Sequence, residues 1–449
     1  MGGAFSRWAQ KYMPDPGVFA VVLTVAAFLL ALGVTHTPAL QVLSNWYAGF
    51  WELLAFGMQI AVMIITGGVL AETPAIQRGM MRIARIPKSG AQAAMLLTFL
   101  NTLVSYVHTG LSLVASAIVA KYMAKSLRQR GKPVEYSLLV ACAYMGQMTW
   151  CFGLSSTVGL TIATPGHFLE SDMGVVPFRA FLVNPMNIFI AAGLLILLPV
   201  FAYLLHPKGA AAPIPDYALP YLEDSPAESG AQVKAVRQHY DTVGEKLSNS
   251  RVLCWILAAM GLIYIIYHFA VKGFSIDFNL LNTLFMFMGL LLHGNLANYF
   301  RAFSRNAVNA SGVIAQYPLY AGIMGIIKYS GLTSVIAGAI VSVSTPGSFY
   351  FWTFVFASIV NMFVPAGGGQ WAVQGAITVE SAKLMGADVL KASMCVAYGN
   401  CWTNMAQPFW ALAVLGISGL KAKDIMGYSM ALMLLGGIVF FAGVLFFPV

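Results

Sequence analysis

Long, nearly continuous apolar runs alternate along the chain with short polar segments rich in Lys and Arg, a spacing that fits membrane-crossing helices and not half-buried strands. Runs at 17–33, 47–71, 137–163, 182–205, 252–271, 278–292, 308–327, 389–417 and 426–447 predict nine crossings. Two more, 91–120 and 349–379, are interrupted midway by SYVHTG (105–110) and VPAGGGQW (364–371). Bare backbone inside a bilayer is tolerated only where it lines a cavity, so each of these predicts a re-entrant hairpin that turns back at its polar centre. The crossings 137–163 and 389–417 carry polar interiors of their own, MGQMTWCFGLSST (145–157) and GNCWTNMAQPFW (399–410). Gly153 and Pro408 predict where these two helices unwind.

Composition agrees: of 449 residues, 59% are hydrophobic and 9% charged, against about a quarter charged in soluble domains. The expected class is an all-α polytopic membrane protein whose principal partner is the lipid bilayer. A net charge of +9 suggests nucleic acid at first sight, but the basic residues lie in short loops between apolar runs. With the N-terminus cytoplasmic, the outer segments hold only Arg179, Lys272, Lys328, Lys383 and Lys391 of the 25 Lys and Arg residues. Every other one, from Arg7 and Lys11 to Lys421 and Lys423, falls inside, as the positive-inside rule requires, and the C-terminus is then periplasmic. No nucleic-acid partner is expected. Residues 206–250 form the one sizeable polar segment, a cytoplasmic linker with a short helix before Arg251, between membrane halves 1–205 and 251–449. Cys142, Cys151, Cys254, Cys395 and Cys401 sit in apolar stretches without CxxC spacing and read as packing residues.

The halves resemble each other at an offset of about 255 residues, as transporter repeats do. Thr98 and Phe99 match Thr353 and Phe354, the interruption at 105–112 falls beside 361–369, and Ala143–Tyr144 falls beside Ala397–Tyr398. In the charge-derived topology one hairpin opens from each side, so the repeats are inverted. Two hairpin tips and two broken crossings then converge near the midplane, where they predict a binding site.

No Asp, Glu, Lys or Arg lies deep in a predicted span, so recognition there rests on helix N-termini, backbone amides and neutral side chains, which suit a single negative charge. The candidate site residues are His108, Thr109, Gly110 and Ser112 in the first hairpin and Ser155, Ser156 and Thr157 in the first broken crossing. The second half contributes Gly367, Gly368, Gly369, Gln370, Trp371 and Gln374 from its hairpin, and Asn400, Thr403, Asn404 and Gln407 from its broken crossing. For any one Ser or Thr, a bond to the preceding turn is the commoner role, whereas clustered buried amides need several partners. Trp150, Trp371, Trp402 and Trp410 cluster on the same elements; most tryptophans of this kind are packing or interfacial anchors, though an aromatic wall beside a neutral polar site would suit a short alkyl chain. No cofactor is expected. A coupling proton on His108, or Na⁺ held by neutral oxygens near Gly367, Asn400 and Asn404, would balance an anion's charge. GxxxxGK[ST] and HExxH are absent, which argues against an ATP-driven pump and a zinc protease, and GLSS at Gly153 is a weak echo of an intramembrane serine protease.

FWELLAFGMQIA (50–61), ACAYMGQMTW (141–150), IATPGH (162–167), FVPAGGGQWAVQGA (363–376), NMAQPFWAL (404–412) and KDIMGY (423–428) together resemble the bacterial short-chain fatty acid transporter family, nearly end to end. The resemblance implies secondary transport of short-chain monocarboxylates such as acetoacetate or butyrate across the bacterial inner membrane. It also implies an oligomerising scaffold domain and a mobile transport domain that work as an elevator, in a homo-oligomer. The chain departs from the family at Ala366, commonly serine, at Ala376, commonly proline, and at Cys151 and Phe152, often glycine; its first tip reads YVHTGLS. A channel or passive pore for small anions or neutral solutes is the alternative reading of the same broken helices.

Overall fold

The computed structural model describes residues 16–209, 211–223, 242–407 and 409–447. The topology marks Arg7, Lys11, Lys234 and Arg237 and the unwinding point Pro408 lie outside the described residues. Every regular element among the described residues is helical, and seven of the helices are long and apolar enough to cross a membrane.

The principal helices of the first half are α1 (Pro16–Gly33), α2 (Ala39–Phe50), α3 (Leu54–Ala71), α4 (Pro74–Ala84), α5 (Gly90–Val107), α6 (Thr109–Gln129), α7 (Tyr136–Tyr144), α8 (Thr157–Ala163) and α9 (Pro185–Leu205). Those of the second half are α10 (Arg251–Lys272), α11 (Phe278–His293), α12 (Leu296–Ala307), α13 (Ser311–Tyr329), α14 (Leu332–Val343), α15 (Phe349–Asn361), α16 (Gly367–Met385), α17 (Val389–Thr403), α18 (Ala411–Ser418) and α19 (Ala422–Phe446). The linker has its expected short helix before Arg251 at Val243–Ser248, opened by a Thr242–Glu245 capping box.

Four features correct the pattern-based boundaries. The run 47–71 is two helices, because Glu52 interrupts it and is drawn to Lys328 (3.2 Å) and Tyr329 (2.9 Å). Two amphipathic helices, α4 and α12, occupy segments taken for loops: each turns Arg residues outward and buries a narrow face, Met80 and Ala84 in α4 and Tyr299 and Ala302 in α12. At 12 residues, α14 is too short to register as a crossing. The first broken crossing loosens from Met145, through two short 3₁₀ turns, well before Gly153.

The helix order repeats more completely than the sequence does. Starts at 39, 54, 74, 90 and 109 recur at 296, 311, 332, 349 and 367, each about 258 residues later. Packing follows the same rule, since α2 lies against α13 while its counterpart α12 lies against α3. An ion pair ties each contact, Glu52–Lys328 in one and Glu72–Arg305 (2.5 Å) in the other. At the first of these the helices nearly touch: a Cβ built on Gly49 would sit 2.6 Å from Gly325 Cα, so only glycine fits. Beside this frame, α5 and α6 pack on each other around the break at His108. The helices α7, α9, α17 and α19 pack around α5 and α15.

A candidate site between two helix breaks

The 3₁₀ turns that interrupt the two broken crossings, Met145–Met148 and Asn404–Ala406, touch each other inside the protein. Around them lie two polar clusters related by the repeat. In the first, Asn101 near the end of α5 donates to the carbonyls of Cys142 (3.1 Å) and Ala143 (2.7 Å) and accepts from Ser112 (2.6 Å). Ser105 donates to the carbonyl of Gly146 (2.5 Å), and Gln147 Nε2 to the hydroxyl of Thr109 (3.3 Å). In the second, Asn361 at the end of α15 donates to the carbonyl of Asn400 (2.9 Å), Thr403 Oγ1 (3.0 Å) and Asn404 Oδ1 (3.1 Å). Asn400 Nδ2 returns bonds to Asn361 Oδ1 (2.7 Å) and Gln370 Oε1 (2.8 Å), and Gln370 Nε2 donates to Gln374 (2.8 Å). Asn404 Nδ2 reaches the carbonyl of Gln147 (3.2 Å) and joins the clusters. Tyr144 seals the junction from the other side, donating towards the carbonyls of Asn404 (2.7 Å) and Gln407 (2.9 Å).

These bonds show which expected residues meet. Gln370, Gln374, Asn400, Thr403, Asn404 and Gln407 form one network, with Gln407 donating to Asn404 (3.2 Å). Thr109, Ser112 and Ser155 belong to the first cluster, where Ser155 Oγ accepts the N–H of Thr109 at the start of α6 (3.1 Å). Gly110 packs against the Ile64 carbonyl of α3. Ser156 takes the local role, capping α8 through the N–H of Gly159 (3.1 Å) and bonding the Cys151 carbonyl. Trp371 is buried with its indole N–H unpartnered. Asn101, Ser105, Gln147 and Asn361 carry much of the geometry and were not singled out from sequence; setting Asn101 beside Asn361 across the repeat is the signal that finds them.

His108 separates α5 from α6 and caps the start of α6. Its backbone is extended (φ −156°, ψ 112°), its Nδ1 accepts the N–H of Leu111 (3.2 Å) and its ring meets the edge of Phe285 at 4.0 Å between centroids. With Nδ1 an acceptor, the neutral ring carries its proton on Nε2, which is buried and unpartnered.

The equivalent helix start in the second half is chemically different. Gly367, Gly368 and Gly369 form the first turn of α16, and the preceding Ala366 has no side-chain group to cap it. The Tyr317 hydroxyl lies against the same turn, 2.5 Å from a Cβ built on Gly368. A Cβ on Gly367 would stand 2.8 Å from Trp150 Cη2 and 2.9 Å from Thr157 Oγ1, so this helix end lies directly against both. The Thr157 hydroxyl and the Trp150 indole N–H are buried without partners. Of the two, the Thr157 hydroxyl is the group that lies against the first turn of α16; Trp150 meets that turn with the carbon rim of its ring. Gln147 Oε1, an acceptor within the first break, is also buried without a partner. No cluster of three or more His, Cys, Asp or Glu side chains occurs among the described residues.

A separate apolar pocket of about 280 Å³ between α4, α5 and α6 reaches Asn101 and Ser112, and a larger cleft approaches the breaks. Its outer part, about 930 Å³, is bordered by Glu72, Gln77, Lys121, Arg305 and Tyr221, and its inner part, about 320 Å³, ends at Gly110, Phe409 and Trp410. The two share Val114, Asn309, Leu412 and Ala413, so they are continuous. One wall is α6 and α18, and the other is α3, α12 and the start of α13. The repeat-related face is shut: Gly368 and Gly369 of α16 press on Phe56, Ile60, Tyr317 and Tyr320.

The chain is an all-helical membrane protein with paired helix breaks, and two solved structures share this fold. The YdaH transporter of Alcanivorax borkumensis superposes with a TM-score of 0.55 at 13% identity, covering 96% of this chain and 98% of its own. MtrF of Neisseria gonorrhoeae, described among a class of antimetabolite efflux pumps, gives 0.58 at 14% identity over 98% and 97%. The chain belongs to the short chain fatty acid transporter family, whose sequence profile matches residues 1–447. Relatives named as short-chain fatty acid transporters in Haemophilus influenzae and Escherichia coli K12 are each 36% identical to it, covering 98% of both chains. It is a transporter and not an enzyme.

Proposed function

We propose that the protein is a secondary active transporter that moves short-chain monocarboxylates, acetoacetate- or butyrate-like, across the bacterial inner membrane, with its N-terminus cytoplasmic and its C-terminus periplasmic. The observation that carries this reading is the start of α16, without a side-chain cap, facing the idle Thr157 hydroxyl with the Trp150 ring beside it. One carboxylate occupies such a seat without a guanidinium partner, and the surrounding indoles take a short apolar tail.

The two helical repeats are inverted, the pairs α5–α6 and α15–α16 are re-entrant hairpins, and these move with the broken crossings against the frame of α1–α4 and α10–α14. The cleft beside Arg305 and Lys121 opens to the cytoplasm, so the structure is an inward-facing state. In the outward state the α6–α18 wall closes on α3, and α16 parts from Tyr317 and Tyr320; inverted symmetry keeps the two states close in energy. The frame forms the contact between copies in a homo-oligomer. Uptake of an anion against an inside-negative potential needs an accompanying cation, a proton or Na⁺. His108 suits a proton, because protonating Nδ1 releases the Leu111 N–H and loosens the tip of α6. Among the amide oxygens, Asn400 Oδ1 and Asn404 Oδ1 already accept bonds, so Na⁺ would have to displace these, whereas Gln147 Oε1 is idle.

Counterflow in proteoliposomes tests the carrier. Labelled butyrate or acetoacetate should accumulate transiently against an internal unlabelled pool and saturate. Flux that neither saturates nor exchanges would make the protein a pore.

A further inference from the structure

We infer that the indole of Trp410 is the partition that sets the longest alkyl chain the site accepts. The inference rests on the carboxylate seat proposed at the start of α16. Trp410 stands between that seat and the inner end of the cleft. On the seat side it meets Trp150 edge-on, with centroids 6.5 Å apart, and Trp150 lies against Gly367. On the other side it lines the 320 Å³ cavity with Phe409, Ile64, Leu113, Gly312 and Val313, a mainly apolar wall that also holds Asn309 and Ser311.

The indole is held in place from both directions. Its Nε1–H donates to the carbonyl of Pro365 (2.7 Å), in the loop just before α16, and its ring packs on Phe409 at 5.1 Å. A carboxylate at the seat therefore has its tail directed along Trp150 towards a fixed indole face. A chain of a few carbons ends there. A longer one has apolar space ahead of it, but only beyond the ring. Tail length is thus limited by one side chain, and the specificity of the family fold can be reset at that position without touching the anion seat. The hydrophobic return from opening the partition is about fourfold in affinity for each methylene that enters the cavity.

The test is inhibition of labelled butyrate uptake by straight-chain acids of two to eight carbons, in proteoliposomes of the wild type, Trp410→Phe and Trp410→Leu. Trp410→Leu should bind hexanoate about fifteenfold more tightly relative to butyrate than the wild type does, the effect of two methylenes. Trp410→Phe, which keeps a ring and loses the bond to Pro365, should fall between and serves if the leucine variant folds poorly. A Cβ built on Gly312 makes ordinary contact with Phe409 at 3.5 Å, and Gly312 lines the cavity, so Gly312→Leu extends into it. Added to Trp410→Leu, it should abolish the gain for hexanoate. An unchanged chain-length profile in both Trp410 variants overturns the partition, as does a gain that survives Gly312→Leu. A wild type that transports none of these acids overturns the carboxylate seat itself.

Discussion

Replacing Thr157 by valine separates a substrate-binding hydroxyl from a structural one. The two side chains have the same shape, and Thr157 Oγ1 is buried with no hydrogen-bond partner, next to the first turn of α16. In a folded protein without substrate this hydroxyl costs stability, since an unsatisfied buried polar group carries about 1–3 kcal/mol of desolvation. Thr157→Val should therefore leave the unfolding temperature of the detergent-solubilised protein unchanged or raise it. With substrate the sign reverses. A hydrogen bond to a carboxylate contributes about 1.5–3 kcal/mol, so the valine variant should show a KM for butyrate roughly 10- to 150-fold higher in proteoliposome uptake. Stabilisation by ligand gives a second measure. A concentration one hundred times the wild-type Kd adds about 2.7 kcal/mol to the wild type, and the variant should retain only about 0.3–1.4 kcal/mol of it. A variant with lowered thermal stability and wild-type KM would refute the reasoning, because the hydroxyl would then have a protein partner and no substrate.

Gly368→Val should insert into the membrane normally yet abolish uptake, because even a Cβ there meets Tyr317 Oη at 2.5 Å and Ile60 Cδ1 at 2.6 Å; wild-type transport would remove this helix start from the moving interface. Asn400→Ala removes the donor to both Asn361 and Gln370 and should destabilise the protein by about 2–4 kcal/mol, checked by thermal unfolding, while loss of less than 1 kcal/mol would mean the amide network is not cooperative. A cysteine at Ala413 should react with a membrane-impermeant maleimide from the cytoplasmic side of oriented vesicles and stop turnover; labelling only from outside would reverse the assigned orientation. Uptake into sodium-free vesicles should follow an imposed pH gradient and lose that dependence in His108→Gln, whereas an absolute requirement for Na⁺ would assign coupling to the oxygens near Gln147.

The linear sequence determines the membrane habit of this chain, its broken crossings and the interruptions of its two apolar runs at 91–120 and 349–379, because each follows from local composition and a span of about twenty residues is long enough to average out noise. The amides of GNCWTNMAQP were legible for the same reason: several adjacent buried amides cannot all be satisfied by their own helix. Amphipathic helices such as α4 and α12 were not, since a narrow apolar face flanked by Arg reads as a loop until a neighbour covers it. Tertiary structure alone decided the sorting of equivalent residues. Ser156 and Thr157 are adjacent hydroxyls, yet the fold spends the first on capping α8 and leaves the second idle against Gly367. His108 and Ala366 begin equivalent helices, but only His108 caps its own. Which donors remain free depends on what the opposite repeat brings within 3 Å. Contacts between residues some 200–260 positions apart, such as Asn404 with Gln147, are set by how the repeats interlock and leave no mark in local sequence.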